Sequence, residues 1–250
     1  MKLNGKTAVI TGGASGIGKA TVIEFLKEGA NVVAADWNDK LFAEVQKEIG
    51  FGEDRLIFTK ADVSKESDVE AMIQLCVDKF GKLDIICNIA GVVGFVGPIE
   101  DYPQDLWEQV MGVNATGVLW GCKHAIKPMR ANGGGSIINL ASMMAHNGAP
   151  HQCGYNASKH AALGITRCVA YEYSKEGIRC NAVSPGYVKT PLMDFASAEQ
   201  MKGYAAMHLL ERCAEPIEIA KCMVFVASDD ASFMTGSSLI VDGGYLQKHI

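Results

Sequence analysis

The segment Thr11-Gly12-Gly13-Ala14-Ser15-Gly16-Ile17-Gly18 constrains this chain more than any other. It follows directly on a short apolar, β-branched run (6–11) and leads into a helical stretch (19–28). Strand, glycine-rich turn and helix in that order open a βαβ unit that binds dinucleotides. Glycine is needed because the backbone turns sharply and must approach a pyrophosphate with no Cβ in the way. The helix N-terminus then presents free N–H groups and a positive dipole end to the anion. The spacing is Gly-x-x-x-Gly-x-Gly, which departs from the usual Gly-x-Gly-x-x-Gly.

A second apolar run (31–35) ends at Asp36. A carboxylate about 20 residues past the glycines accepts hydrogen bonds from adenosine ribose hydroxyls, and it repels a 2′-phosphate. Ser15 and Trp37 stand where an arginine would welcome that phosphate. NAD(H), not NADP(H), is therefore the expected cofactor. Without the glycines, Asp36 would read as an ordinary strand-end aspartate.

Strand-like and helix-like segments alternate along the rest of the chain with no linker, repeat or charge run. Helices are expected near 39–49, 66–80, 104–111, 116–130, 155–174, 199–210 and 217–227, and strands near 56–59, 83–88, 136–140, 179–183 and 238–241. Repeated βα units imply a single doubly wound α/β (Rossmann-type) domain over 1–250, with about seven parallel strands and helices on both faces. At 250 residues, 48% apolar and 20% charged, the chain can bury one large core.

A net charge of −5 leaves no basic footprint for nucleic acid, and no polybasic cluster suits an anionic membrane. No apolar run reaches membrane-spanning length, and the N-terminus enters the first strand without room for a signal peptide. The eight cysteines never lie closer than nine residues apart, so no zinc-type spacing exists and no metal is expected. Several lie inside apolar runs and read as small core residues, and reduced thiols imply a cytoplasmic protein.

Tyr155 and Lys159 lie four residues apart in Tyr-Asn-Ala-Ser-Lys, with Ser142 thirteen residues upstream. On a helix, positions i and i+4 share a face, so phenol and ammonium can lie side by side. A free tyrosine has a pKa of about 10, and bringing it to about 7 takes roughly 4 kcal/mol of differential stabilisation. A nearby cation supplies part of that, and a positively charged cofactor more. By itself the spacing describes any surface helix pair; the glycine turn and Asp36 give it weight.

Over essentially its whole length the chain resembles the short-chain dehydrogenase/reductase family. The matching stretches are Thr11 to Gly18, Asp62-Val63, Asn88-Ile89-Ala90-Gly91, Asn114, Ser142, Tyr155 to Lys159, Pro185-Gly186 and Thr190. The family usually shows Asn-Asn-Ala-Gly where this chain has Asn88-Ile89-Ala90-Gly91, so Ile89 lacks the second amide and one local hydrogen bond of the sheet. The resemblance implies Tyr155 as general base for alcohol oxidation and general acid for ketone reduction, with Lys159 lowering its pKa and gripping the nicotinamide ribose. It implies Ser142 as partner of the substrate oxygen. Asn114 would hold a proton-relay water that links Lys159 to solvent, and a tie of a helix kink through its side chain is an alternative role compatible with it.

In the cofactor site the same resemblance implies Gly12, Ser15, Gly16, Gly18, Asp36 and Trp37 around the phosphates and ribose. Asp62 and the backbone of Val63 would meet adenine, and Asn88, Ala90 and Gly91 the adenosine ribose. Ile17, Pro185, Gly186, Val188 and Thr190 would frame the nicotinamide and its carboxamide.

Residues 191–213 fall where the family carries a variable substrate lid, here rich in apolar side chains that include Met193 and Tyr204. The same segment also reads as an amphipathic helix packing on the domain. Met143, Met144, His146, His151, Gln152 and Cys153 flank the catalytic trio and are candidates to shape the pocket, each histidine read as a turn or surface residue and not as a second acid/base. The expected substrate is a small apolar alcohol or ketone, a hydroxysteroid or another cyclic secondary alcohol. A 3-ketoacyl-thioester reductase, a dehydratase or epimerase, and a catalytically silent NAD-binding regulator are alternatives. By analogy with the family, the chain forms homotetramers or dimers through the helices near 116–130 and 155–174, with the apolar tail after Gly244 at another interface.

Overall fold

The computed structural model describes residues 1–248. Its first half runs β1 (Thr7–Thr11), α1 (Gly16–Lys27), β2 (Asn31–Asp36), α2 (Phe42–Ile49), β3 (Leu56–Lys60), α3 (Glu66–Phe80), β4 (Ile85–Asn88), α4 (Gln104–Met111) and α5 (Gly117–Ala131). The second half adds β5 (Gly135–Leu140), α6 (Cys153–Tyr173), β6 (Ile178–Pro185), α7 (Ala198–Ala206), α8 (Pro216–Ala227), β7 (Ser238–Val241) and α9 (Tyr245–Lys248). All strand pairs are parallel, in the order β3-β2-β1-β4-β5-β6-β7.

The period-2 alternation of the strands builds two cores. Val9, Val33, Ile86, Ile137 and Cys180 point to one face and bury α3, α5 and α6. Their neighbours Ala8, Ile10, Val32, Ile138 and Val183 point to the other and bury α1 and α8. Strands covered on both sides must be apolar almost throughout, which is why β1 is buried at every position. Strand order reverses beside β1, where its neighbours are β2 and β4, and ligands of such sheets sit beyond the carboxyl ends at that point.

Most element ends shift by a few residues from the sequence reading, and two differences bear on the site. The break expected between helices at 111 and 116 is a π-helical turn, Gly112–Thr116, that joins α4 to α5 without interruption. Its cause is the Asn114 side chain described below. The lid helix is shorter than 199–210: it opens on a capping box between Ser197 and Gln200 and ends at Ala206. Glu211, with φ 52°, lies in the turn beyond it. Residues 249 and 250 of the tail lie outside the described residues.

Candidate active site

A cleft of about 610 Å³ opens at the carboxyl ends of the strands. Its floor is the turn between β1 and α1. Gly12 and Gly16 hold φ of 69° and 50°, which side chains disfavour. A Cβ on Gly18 would stand 1.9 Å from the Gly12 carbonyl oxygen, and one on Gly12 3.1 Å from the Ala90 Cα. Ser15 caps α1 without a side-chain hydrogen bond and no acidic residue lies in the first turn, so the helix N-terminus faces the cleft as an anion cradle. The cradle fits a dinucleotide pyrophosphate.

Asp36 closes this end. Its buried carboxylate accepts the Ala14 N–H at 3.1 Å and the Asn38 N–H at 3.0 Å, so it braces the glycine turn while lining the cleft beside the exposed Trp37. Asp62 and Val63 line the same region, and two hydrogen bonds from Ser64 hold the Asp62 carboxyl below the usual range. Ile17 and Ser15 also border the cleft.

The strip after β4 splits by alternation. Ala90 and Gly91 line the cleft, while Asn88 shares the Ile86 face and turns away towards α5. Its amide donates to Asn139 Oδ1 at 2.8 Å, and its Oδ1 lies so near Gly121 that a Cβ there would be 2.0 Å away. The Asn88 side chain is thus not brought to the cleft. Ile89 is buried in the opposite core, and its N–H and that of Ala90 both donate to Thr11 Oγ1, at 2.8 and 3.1 Å. Thr11 ties this strip without a second asparagine.

Ser142 lies just beyond β5, where its hydroxyl accepts the Met144 N–H at 3.1 Å and caps a short 3₁₀ turn. Tyr155 stands in the first turn of α6 and lines the cleft together with Ser142. One turn on, Lys159 is 3% exposed; its Nζ donates to the Leu140 carbonyl at 2.7 Å and lies 5.6 Å from the centre of the Tyr155 ring. Burial pushes the Tyr155 phenol above its ordinary 10, with the nearby Ser142 hydroxyl opposing. Burial also pulls the Lys159 ammonium down to about 8. In the protein alone, desolvation therefore dominates at both groups.

Asn114 is fully buried in the π turn. Its Oδ1 accepts the Val92 N–H at 2.9 Å, and its Nδ2 donates to the Val92 carbonyl at 2.8 Å and to Ser158 Oγ at 3.1 Å. Helix, loop and catalytic helix are thereby tied at one point. A Cβ on Gly91 would come 3.2 Å from Asn114 Oδ1 and 3.7 Å from Lys159 Nζ, so both atoms crowd this glycine.

Pro185, Gly186, Val188 and Thr190 line the far end, with Thr190 packed on Gly16. Met144, Met193, Phe195 and Tyr204 form the outer walls with Gln152. Tyr187 belongs to the same wall and is absent from the sequence reading, since nothing after a Pro-Gly pair marks a side chain as cleft-facing. His146 lies outside, between Ser184 and Ser238 Oγ at 3.1 and 3.2 Å, and burial lowers its pKa. His151, at φ 62°, and Cys153 border a separate hollow.

Among the described residues that line the cleft, only Asp36, Asp62 and Lys159 bear charge. No described group of three or more His, Cys, Asp or Glu side chains could hold a metal ion, and no described helix is long and apolar enough to cross a membrane.

A family model described as enoyl-(acyl carrier protein) reductase matches residues 12–246. The 3beta-hydroxysteroid dehydrogenase 2 of Eggerthella lenta is 41% identical, over 97% of this chain and 95% of that protein. The cyclohexanol dehydrogenase of Acinetobacter sp. (strain SE19) is 38% identical over 99% and 97%. The crystal structure of levodione reductase superposes with a TM-score of 0.93 at 32% identity, covering 99% of both chains.

Proposed function

The chain belongs to the short-chain dehydrogenase/reductase family, and from that premise we propose that it is an NAD(H)-dependent oxidoreductase interconverting a neutral, apolar cyclic secondary alcohol and its ketone. The observation that carries this reading is the convergence of Ser142, Tyr155 and Lys159 in one cleft, where the cradle meets an uncharged apolar wall. The similarity to dehydrogenases of a hydroxysteroid and of cyclohexanol supports the substrate class.

The cradle from Gly12 to Gly18 holds the pyrophosphate, Asp36 the adenosine ribose, and Pro185, Gly186, Val188 and Thr190 the nicotinamide. When bound, the nicotinamide supplies the hydride chemistry. The protein's share is the proton. Ser142 Oγ and the Tyr155 hydroxyl hold the substrate oxygen and stabilise charge developing there. Tyr155 takes the hydroxyl proton in oxidation and returns it in reduction. Lys159 grips the nicotinamide ribose and keeps a positive charge near the phenol. Burial holds the Tyr155 phenol above 10 in the protein alone, so it needs positive charge nearby, which Lys159 and, when bound, the oxidised cofactor would supply. A relay water between Asn114 and Lys159 is part of this reading, beside the structural tie that Asn114 makes.

A thioester reductase would need cations for a phosphorylated carrier. No cation other than Lys159 lines the described cleft, which disfavours that reading. A panel of cyclic, aliphatic and steroidal alcohols with NAD and NADP, followed by reduced-nicotinamide absorbance, tests the proposal. Tyr155→Phe should abolish turnover and leave NADH binding intact; undiminished turnover would overturn the assignment, and binding without turnover in the wild type would favour a silent regulator. The lid over 191–213 is part of the same domain in this reading. Homo-oligomers through α5 and α6 remain a family-based proposal that light scattering tests.

A further inference from the structure

We infer that His208 is a positioning residue that holds Tyr187 and Tyr204 as one wall of the substrate half of the cleft. The inference rests on the reading that this half takes the alcohol. His208 follows the lid helix α7 and is 2% exposed, yet it does not line the cleft. Tyr187 and Tyr204 do.

Both ring nitrogens are committed. The Tyr187 backbone N–H donates to Nε2 at 3.2 Å, and Nδ1 lies 2.8 Å from the Tyr204 carbonyl oxygen. A backbone N–H can only donate and a carbonyl can only accept, so the imidazole carries its proton on Nδ1. The ring thus bridges two chain segments as acceptor to one and donor to the other. Across that bridge the Tyr187 and Tyr204 rings stack with centres 4.3 Å apart, and the imidazole meets Tyr187 edge-on at 5.8 Å and 81°.

The segment after His208 repeats the grip, since the Ala214 N–H donates to the Tyr187 carbonyl at 2.9 Å. Gly186 makes room for it: a Cβ there would stand 2.6 Å from His208 Nε2. None of α7's own residues is buried, so the lid has little packing of its own, and His208 fastens its last turn. Tyr187 also packs in the cluster that holds Met144 and Tyr155. The wall position that His208 sets therefore continues to the side chains around the reacting oxygen.

His208→Phe keeps an aromatic ring and loses both hydrogen bonds, while His208→Gln offers one acceptor and one donor. Steady-state kinetics on an alcohol that the wild type oxidises should show KM for the alcohol about tenfold higher in His208→Phe. The expected kcat lies within a factor of two, with NADH affinity by fluorescence titration unchanged. His208→Gln should recover most of the KM. Tyr204→Ala, on an exposed helix that tolerates the change, should raise KM similarly, and it decides the matter if His208→Phe does not fold. An unchanged KM in the folded variants, a fall in kcat at constant KM, or failure of His208→Gln to rescue would each overturn the inference. The functional reading is judged separately, by wild-type turnover and its loss in Tyr155→Phe.

Discussion

The Lys159 ammonium lies 5.6 Å from the centre of the Tyr155 ring, buried and bonded to the Leu140 carbonyl. A lysine pulled down to about 8 from 10.5 is a lysine that costs stability. Below pH 8 the folded protein holds a buried charge that the unfolded chain would solvate. Between about pH 8 and 10.5 the unfolded state binds more protons than the folded one, so this group's contribution makes stability rise with pH. Tyr155, raised above 10, acts in the opposite sense only above that value. Lys159→Met should thus be more stable than wild type at pH 7, by on the order of 2 kcal/mol after losing the Leu140 bond. The advantage should fade towards pH 10, and activity should be lost. Urea melts at pH 7 and pH 9.5 check this; a variant less stable at pH 7 would refute it.

Asp36→Ser removes the charge facing a 2′-phosphate and shortens the side chain that braces Ala14 and Asn38. Hydrogen bonds to a charged group are worth about 1.5–3 kcal/mol, so kcat/KM with NAD should fall roughly 10- to 100-fold. With NADP it should hold or rise. Paired kinetics with both cofactors read the ratio; a ratio that stays put would mean that Asp36 only braces the turn.

What the sequence makes legible follows from what is local. The glycine turn, Asp36 and the helical pair are short-range patterns, and each lies in the cleft because strand ends and helix starts are adjacent in this topology. Three features are not local. The π turn at Asn114 depends on Val92 and Ser158, 22 and 44 residues away. Asn88 sits in a motif yet faces α5, since strand alternation decides its side. His208 reads as one more lone histidine until Tyr187 is folded against it.

Two glycines separate close approach from idle flexibility. Gly18→Ala would drive a Cβ into the Gly12 carbonyl, and neither backbone can yield without opening the turn. A loss of several kcal/mol and of NADH affinity is expected. Gly203 is exposed inside α7, and a methyl group there would meet nothing within 4 Å. Alanine at this position should add roughly 0.5–1 kcal/mol of helix propensity. That gain is local to the lid, so hydrogen exchange of the α7 amides reports it better than global melting.

Asn114→Leu tests whether the three-way tie outweighs the apolar gain. It leaves the half-buried Val92 N–H and carbonyl without their partner, each at about 1–3 kcal/mol, while the Ser158 hydroxyl keeps its bond to the Tyr155 carbonyl. A loss of at least ~3 kcal/mol is expected, with the π turn reverting towards ordinary α-helical hydrogen bonding. Asn114→Asp keeps the acceptor for Val92 but turns a donor into an acceptor against the Val92 carbonyl, so it should be no better than leucine. If Asn114→Asp were as stable as wild type while turnover fell, the tie would be dispensable and a relay role would be all that the residue serves. Urea melts beside single-turnover kinetics separate the two, because a relay defect slows proton release without changing the melt.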